Sequence, residues 1–339
     1  MELLDHPSRT WIGAAVGLVL LATPTLALFV LGVAGAVVHA GAPIVGVILL
    51  VPTFGVAVGV RYEWWFLRRA DGLSRVRTSD AVRDAVSLLV GAVVTIAIVV
   101  ESGTSPIVAA ALVGVGAALV VPSRAVPAYC GAFVGMTSPA LFVTYWHTVV
   151  AAVLASVVYV VSGPVFRDIG GKLGTTAFVA ATATIAVTAG GFGSGTVPES
   201  LSIALAVGSA VVGAVATFVL HTRSSAEPVL ASGVVGVSGG VLLPIVHVGD
   251  GGLLAAAAFS ASFAGMSARR RIPNGWWMAV VGAVVGAVVV YTTPYLGGSG
   301  GKLGTIAFGA CLAVHGSLRA VHLVRIRRRA DERSRRDTT

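Results

Sequence analysis

The sequence predicts an all-α integral membrane protein of about 12 transmembrane helices, with two homologous repeats in inverted five-plus-five topology behind two N-terminal helices. The number falls to 10 if two short segments are re-entrant. Three observations carry this prediction. Of 339 residues, 56% are hydrophobic and 11% charged, where soluble domains average about a quarter charged. The stretches between charged clusters are apolar runs of about 17 to 27 residues, long enough to cross a hydrocarbon core of about 30 Å as helix. The hexapeptide Gly-Gly-Lys-Leu-Gly-Thr stands at residues 170–175 and again at 300–305.

The first apolar run, 11–38, is longer than a signal-peptide core and follows the nearly neutral MELLDHPSRT, so it is expected to remain as a helix. A second span follows at 42–60, then a basic loop. The remaining spans are expected at 84–100, 105–122, 126–138, 140–162, 172–189, 200–220, 229–248, 252–267, 276–293 and 303–323. The segments 126–138 and 252–267 are short for full crossings and are the candidates for re-entrance. Trp11, Trp64, Trp65, Trp146, Trp276 and Trp277 fall near expected span ends, where indole rings favour the headgroup region. The basic tail 326–339 reads as a solvated, partly disordered end.

A shift of 130 residues aligns 128–178 with 258–308 without a gap, with 17 identities in those 51 positions. Compositional bias inflates matches among Ala, Val and Gly. It does not put Phe133 against Phe263, Met136 against Met266, Trp146 against Trp276, Pro164 against Pro294 and Lys172 against Lys302. Such self-similarity implies duplication. The expected organisation is 1–80 (two helices plus a basic cytoplasmic loop), 81–196 (first repeat), 197–325 (second repeat) and 326–339 (basic cytoplasmic tail). Five spans per unit turn the second unit over relative to the first, whereas four leave the units parallel. With the basic clusters inside, five-span units leave only Lys302 of the 23 Lys and Arg residues outside. Four-span units also expel Arg167, Lys172 and Arg223, which the positive-inside rule disfavours. Both termini are then cytoplasmic, in a multi-pass protein of the cell membrane.

The net charge of +9 comes from loops and the tail, as retention of positive charge in the cytoplasm requires, so no nucleic-acid partner is expected. The partners are the lipid bilayer, anionic lipid at the basic loops and tail, an unidentified small solute, and further copies of the chain in a homo-oligomer. Cys130 and Cys311 lie in apolar segments and support neither a disulfide framework nor a metal site. His147, His247 and His315 have no second ligand at helical spacing, and Glu101, Asp168, Glu199 and Asp250 fall at span ends. No cofactor, metal or catalytic constellation is expected, which argues against an enzyme.

The hexapeptide is not a phosphate-binding loop, because Phe166 or Leu296 stands where GxxxxGK[ST] needs its first glycine and Leu173 or Leu303 where it needs the hydroxyl. Proline followed by a glycine pair instead breaks the preceding helix, which membranes tolerate beside protein or a water-filled cavity. A lysine in the first turn has the wrong sign for the helix dipole and invites an anion. The structural alternative is that Lys172 and Lys302 snorkel to the interface as relics of duplication. The candidate pathway residues are Lys172, Lys302, Gly170, Gly171, Gly300, Gly301, Thr175 and Thr305, joined by Thr137 and Ser267 of the repeated Phe-x-Gly-Met-Thr/Ser element. The hydroxyls of that element equally suit bonding to a neighbouring helix. The function these features suggest is a transporter or permease for an anionic or polar small solute. An oligomeric channel on the same scaffold and a non-transporting membrane scaffold are the alternatives.

Overall fold

The computed structural model describes residues 7–69, 78–188, 190–224 and 226–336, and among them the only regular structure is helical. There are twelve α-helices: α1 Pro7–Ala34, α2 Pro43–Arg69, α3 Thr78–Ser102, α4 Pro106–Val120, α5 Ala125–Gly135, α6 Tyr145–Val161, α7 Lys172–Val187, α8 Ser200–Arg223, α9 Pro228–Val246, α10 Gly251–Gly265, α11 Gly275–Tyr291 and α12 Lys302–Arg336. Among the described residues six helices are long and apolar enough to cross a membrane: α1 with its terminal π-turn, α2, α3, α8, α9 and α12. Their outward faces carry Val47, Val51, Phe54, Val90, Val212 and Ile245, all largely exposed. An apolar girdle of this kind is a membrane surface rather than a soluble one.

Every expected span corresponds to one helix, and the boundaries differ most at the basic ends. α2 continues nine residues past the expected stop, to Arg69, and α12 continues through Arg336 into the segment read as a partly disordered tail. Arg, Ala, Glu and Leu are strong helix formers, so loss of hydrophobicity there does not stop the helix. Part of the basic loop, 70–77, lies outside the described residues.

The two short segments occupy the centre. In α5, 11 residues long and so about 16 Å at 1.5 Å per residue, nearly every residue is buried, as is most of α10. Helices that are apolar all round belong inside a bundle, and these are sheathed by protein rather than lipid. Each lies along a longer partner through small residues. Gly131 and Gly135 of α5 meet Leu88 and Ala92 of α3, and Ala258 and Gly265 of α10 meet Gly213 and Ala214 of α8. A side chain at any of these glycines would enter the neighbour's backbone, the usual reason for small residues where membrane helices touch.

Contacts between the loops define two ends of the bundle. At the first end Trp11 of α1 packs on Trp64 of α2 at 5.7 Å, and Arg68 and Arg69 lie over Trp64 and Trp65. Arg124 joins Asp84 (2.6 Å) and Asp80 (3.4 Å) there, and the hydrogen bond it donates to Asp84 holds its pKa above the ordinary guanidinium value. The α6–α7 and α10–α11 loops meet at the same end through an Arg270–Asp168 ion pair. At the second end Tyr145 donates to Glu101 (2.9 Å), Gly193 pairs with Gly297, and Gly195 N donates to Thr293 O (3.1 Å).

Candidate functional site

Pro164 and Pro294 follow the ends of α6 and α11 before the two Gly-Gly-Lys turns, and both turns require backbone that glycine tolerates. Gly171 (φ 84°) and Gly301 (φ 81°) are left-handed, as are two bulky residues 130 apart, Phe166 and Leu296, both at φ 53°. For bulky side chains that conformation is costly, and its recurrence at equivalent places shows that the surrounding fold imposes it.

Each lysine turns back on the helix before its own. Lys172 Nζ donates to Ser162 O (2.7 Å), Gly163 O (3.3 Å) and Val165 O (2.6 Å) at the end of α6. Lys302 Nζ donates to Thr292 O (2.7 Å) and Tyr295 O (2.5 Å) at the end of α11. Ammonium groups thus cap helix C-termini, whose free carbonyls carry the negative end of the dipole. The charge that is misplaced for the helix it opens is correctly placed for the one it closes. Asp168, four residues before Lys172, pairs instead with Arg270.

The repeated hydroxyls cross between the turns. Thr137 Oγ1 accepts from Gly300 N (3.2 Å), and Ser267 Oγ accepts from Gly170 N (2.9 Å). Beside them Ser138 N donates to Gly298 O (2.8 Å) and Ala268 N to Asp168 O (3.1 Å). Each bond becomes the other when 130 is added to one residue and subtracted from its partner. Thr175 and Thr305 bond back to Gly171 O and Gly301 O within their own turns and are buried.

The two turns touch each other. A Cβ on Gly174 would lie 2.5 Å from Gly304 Cα, and one on Gly304 would lie 2.6 Å from Gly174 Cα. Gly170 packs on the backbone of Phe263 and Gly300 on that of Phe133. Those two rings meet at 4.6 Å and, with Tyr129 and Phe259 each 4.4 Å from its neighbour, form an aromatic cluster between α5 and α10. The ten residues singled out from sequence therefore gather in two linked turns.

Clefts approach these turns from both ends. From the first end, one of about 450 Å³ is lined by Asp84, Tyr159, Arg167, Asp168 and Lys172. From the second, an open cleft of about 1000 Å³ lined by Ser138, Ser194, Glu199, Ser202, Asp250 and Thr293 adjoins an inner cavity of about 300 Å³ that reaches Lys302. Gly297, Gly298, Thr293 and Leu253 line both of these.

Sequence reasoning missed two features. Glu63 of α2 is buried, accepting from Phe166 N (2.7 Å) and from Arg271 (3.1 Å), while His315 of α12 contacts the same guanidinium at 3.3 Å. Partners 208 residues apart carry no local pattern. The second is Ser299, buried with its hydroxyl unpartnered and facing no Ser or Thr at the aligned position, which is Ile169. Comparison with protein families, characterised proteins and solved structures finds no match to this chain.

Proposed function

We propose that the chain is a membrane transporter for an anionic or polar small solute, with its pathway between two homologous five-helix units, α3–α7 and α8–α12, in opposite orientation. The carrying observation is that clefts from opposite ends each reach one lysine, and that the turns holding those lysines touch at Gly174 and Gly304 and are tied to the ends of α5 and α10 by the crossing hydrogen bonds. The reciprocal bonds support duplication, since unrelated segments have no reason to exchange identical contacts at one constant offset. The distribution of charge supports inversion. Among the described lysines and arginines Lys302 alone belongs to the second end, while Arg68, Arg69, Arg124, Arg167, Arg223 and Arg269–Arg271 belong to the first. By the positive-inside rule the first end is cytoplasmic.

A closed centre favours a carrier over an open channel. Gly174, Gly304 and the four aromatic rings are packed into the middle of the molecule, so passage requires the two units to rock, as in other inverted-repeat carriers. The test is uptake into proteoliposomes, followed by light scattering with a panel of small carboxylates, amino acids and sugars. Saturable uptake of one class supports the carrier, uptake linear in concentration indicates a channel, and no uptake of any solute leaves the non-transporting scaffold.

A further inference from the structure

The two lysines reach back to carbonyls at equivalent positions but have different hydrogen-bond accounts. Lys172 directs three N–H donors at three carbonyls. Lys302 directs two, while Thr293 O, the counterpart of Gly163 O, accepts from Gly195 N (3.1 Å). An ammonium has three donors, so one on Lys302 has no acceptor among the described residues. Ser299, 8% exposed with an unpartnered hydroxyl, lines the same 300 Å³ cavity. Buried polar groups without partners are uncommon and call for an explanation. The first-end counterpart of Ser299 is Ile169, an apolar residue, so the vacancy belongs to one end alone.

The rest of the cavity narrows the ligand. Its walls include Phe133, Met136, Leu253, Phe263, Val289 and Ile306, and the first turn of α12 presents its positive end there. Lys302 and Ser299 together suit one acceptor group with a single negative charge, while the apolar walls suit a hydrocarbon body. A phosphate would ask for more donors than these. Glu199 and Asp250 line the outer cleft and oppose a second negative charge.

We infer that the second-end cavity binds a short amphipathic monocarboxylate, its carboxylate held by Lys302 and Ser299 and its alkyl body against the Phe133–Phe263 wall. The inference rests on the transport reading for its role but not for its binding chemistry. Because the Ser299 hydroxyl has no partner among the described residues, Ser299→Ala removes a ligand contact without removing a fold contact.

The experiment is calorimetric titration of the purified full chain in lipid nanodiscs with butyrate, butyramide, succinate and chloride. Butyrate alone is expected to bind. Ser299→Ala is expected to weaken it about tenfold, in line with a hydrogen bond to a charged group, with an unchanged thermal midpoint. Lys302→Met is expected to abolish binding. Butyramide or chloride binding as well as butyrate, absence of butyrate binding, or unaltered butyrate affinity in Ser299→Ala would each overturn the assignment. Butyrate binding without uptake of any solute in proteoliposomes would refute the transport reading and leave the site standing; uptake of another solute without butyrate binding would do the reverse.

Discussion

Replacing Glu63 by Gln tests how the N-terminal pair of helices is joined to the rest of the bundle. Glu63 and Arg271 have side chains only 7% and 15% exposed, and the guanidinium lies 3.1 Å from one carboxylate oxygen and 3.4 Å from the other. The amide introduced by Glu63→Gln would keep an acceptor for Phe166 N but leave Arg271 without its counter-charge. Removing one partner of a buried pair costs about 3–5 kcal/mol, against about 0–1 kcal/mol for an exposed pair. Arg271 Nε still donates to Arg167 O (2.9 Å), which places the expected loss near the lower figure, about 3 kcal/mol or roughly a hundredfold in the folding equilibrium. Urea unfolding in detergent, followed by tryptophan fluorescence, measures it. Arg271→Met and the double variant complete a cycle, in which the double variant is expected to recover at least about 1 kcal/mol of the summed losses. A loss below about 1 kcal/mol in Glu63→Gln, or additive single effects, would refute the buried-pair reasoning.

Two further outcomes are expected from the central turns. Gly304→Ala puts a methyl 2.6 Å from Gly174 Cα, and overpacking of backbone on backbone is expected to cost about 1–3 kcal/mol and to lower the thermal midpoint. Thr137→Val and Ser267→Ala each leave a buried glycine N–H without its acceptor, at about 1–3 kcal/mol apiece. Similar losses in the two variants, measured by urea unfolding, would match their reciprocal geometry, whereas a loss in one alone would contradict it.

The helices themselves were legible because lipid imposes length and hydrophobicity, and each apolar run has one helix. The similarity of the two lysine turns was legible because Phe, Met, Trp, Pro and Lys recur in register. The partners of the lysines were not. Wrong-sign reasoning weighs a lysine against its own helix, whereas Lys172 and Lys302 reach seven to ten residues back to carbonyls of the helix before. Nor could pattern separate the two ends, since Gly195, which donates to Thr293 O at the second end alone, lies outside the aligned block. Ser299 stood out only once its surroundings were known. Shortness of α5 and α10 left crossing and re-entrance open, because length alone does not say whether lipid or protein surrounds a helix.

The most direct test of the proposed inverted arrangement is the sidedness of the two loops that precede the lysines. Arg167→Cys and Tyr295→Cys place thiols in the α6–α7 and α11–α12 loops, while native Cys130 and Cys311 are buried. Treated with a membrane-impermeant maleimide in sealed vesicles of known orientation, the two variants are expected to label from opposite faces, Arg167→Cys from the cytoplasmic one. Labelling of both from the same face would contradict the opposed orientation of the two units and, with it, the pathway proposed between them.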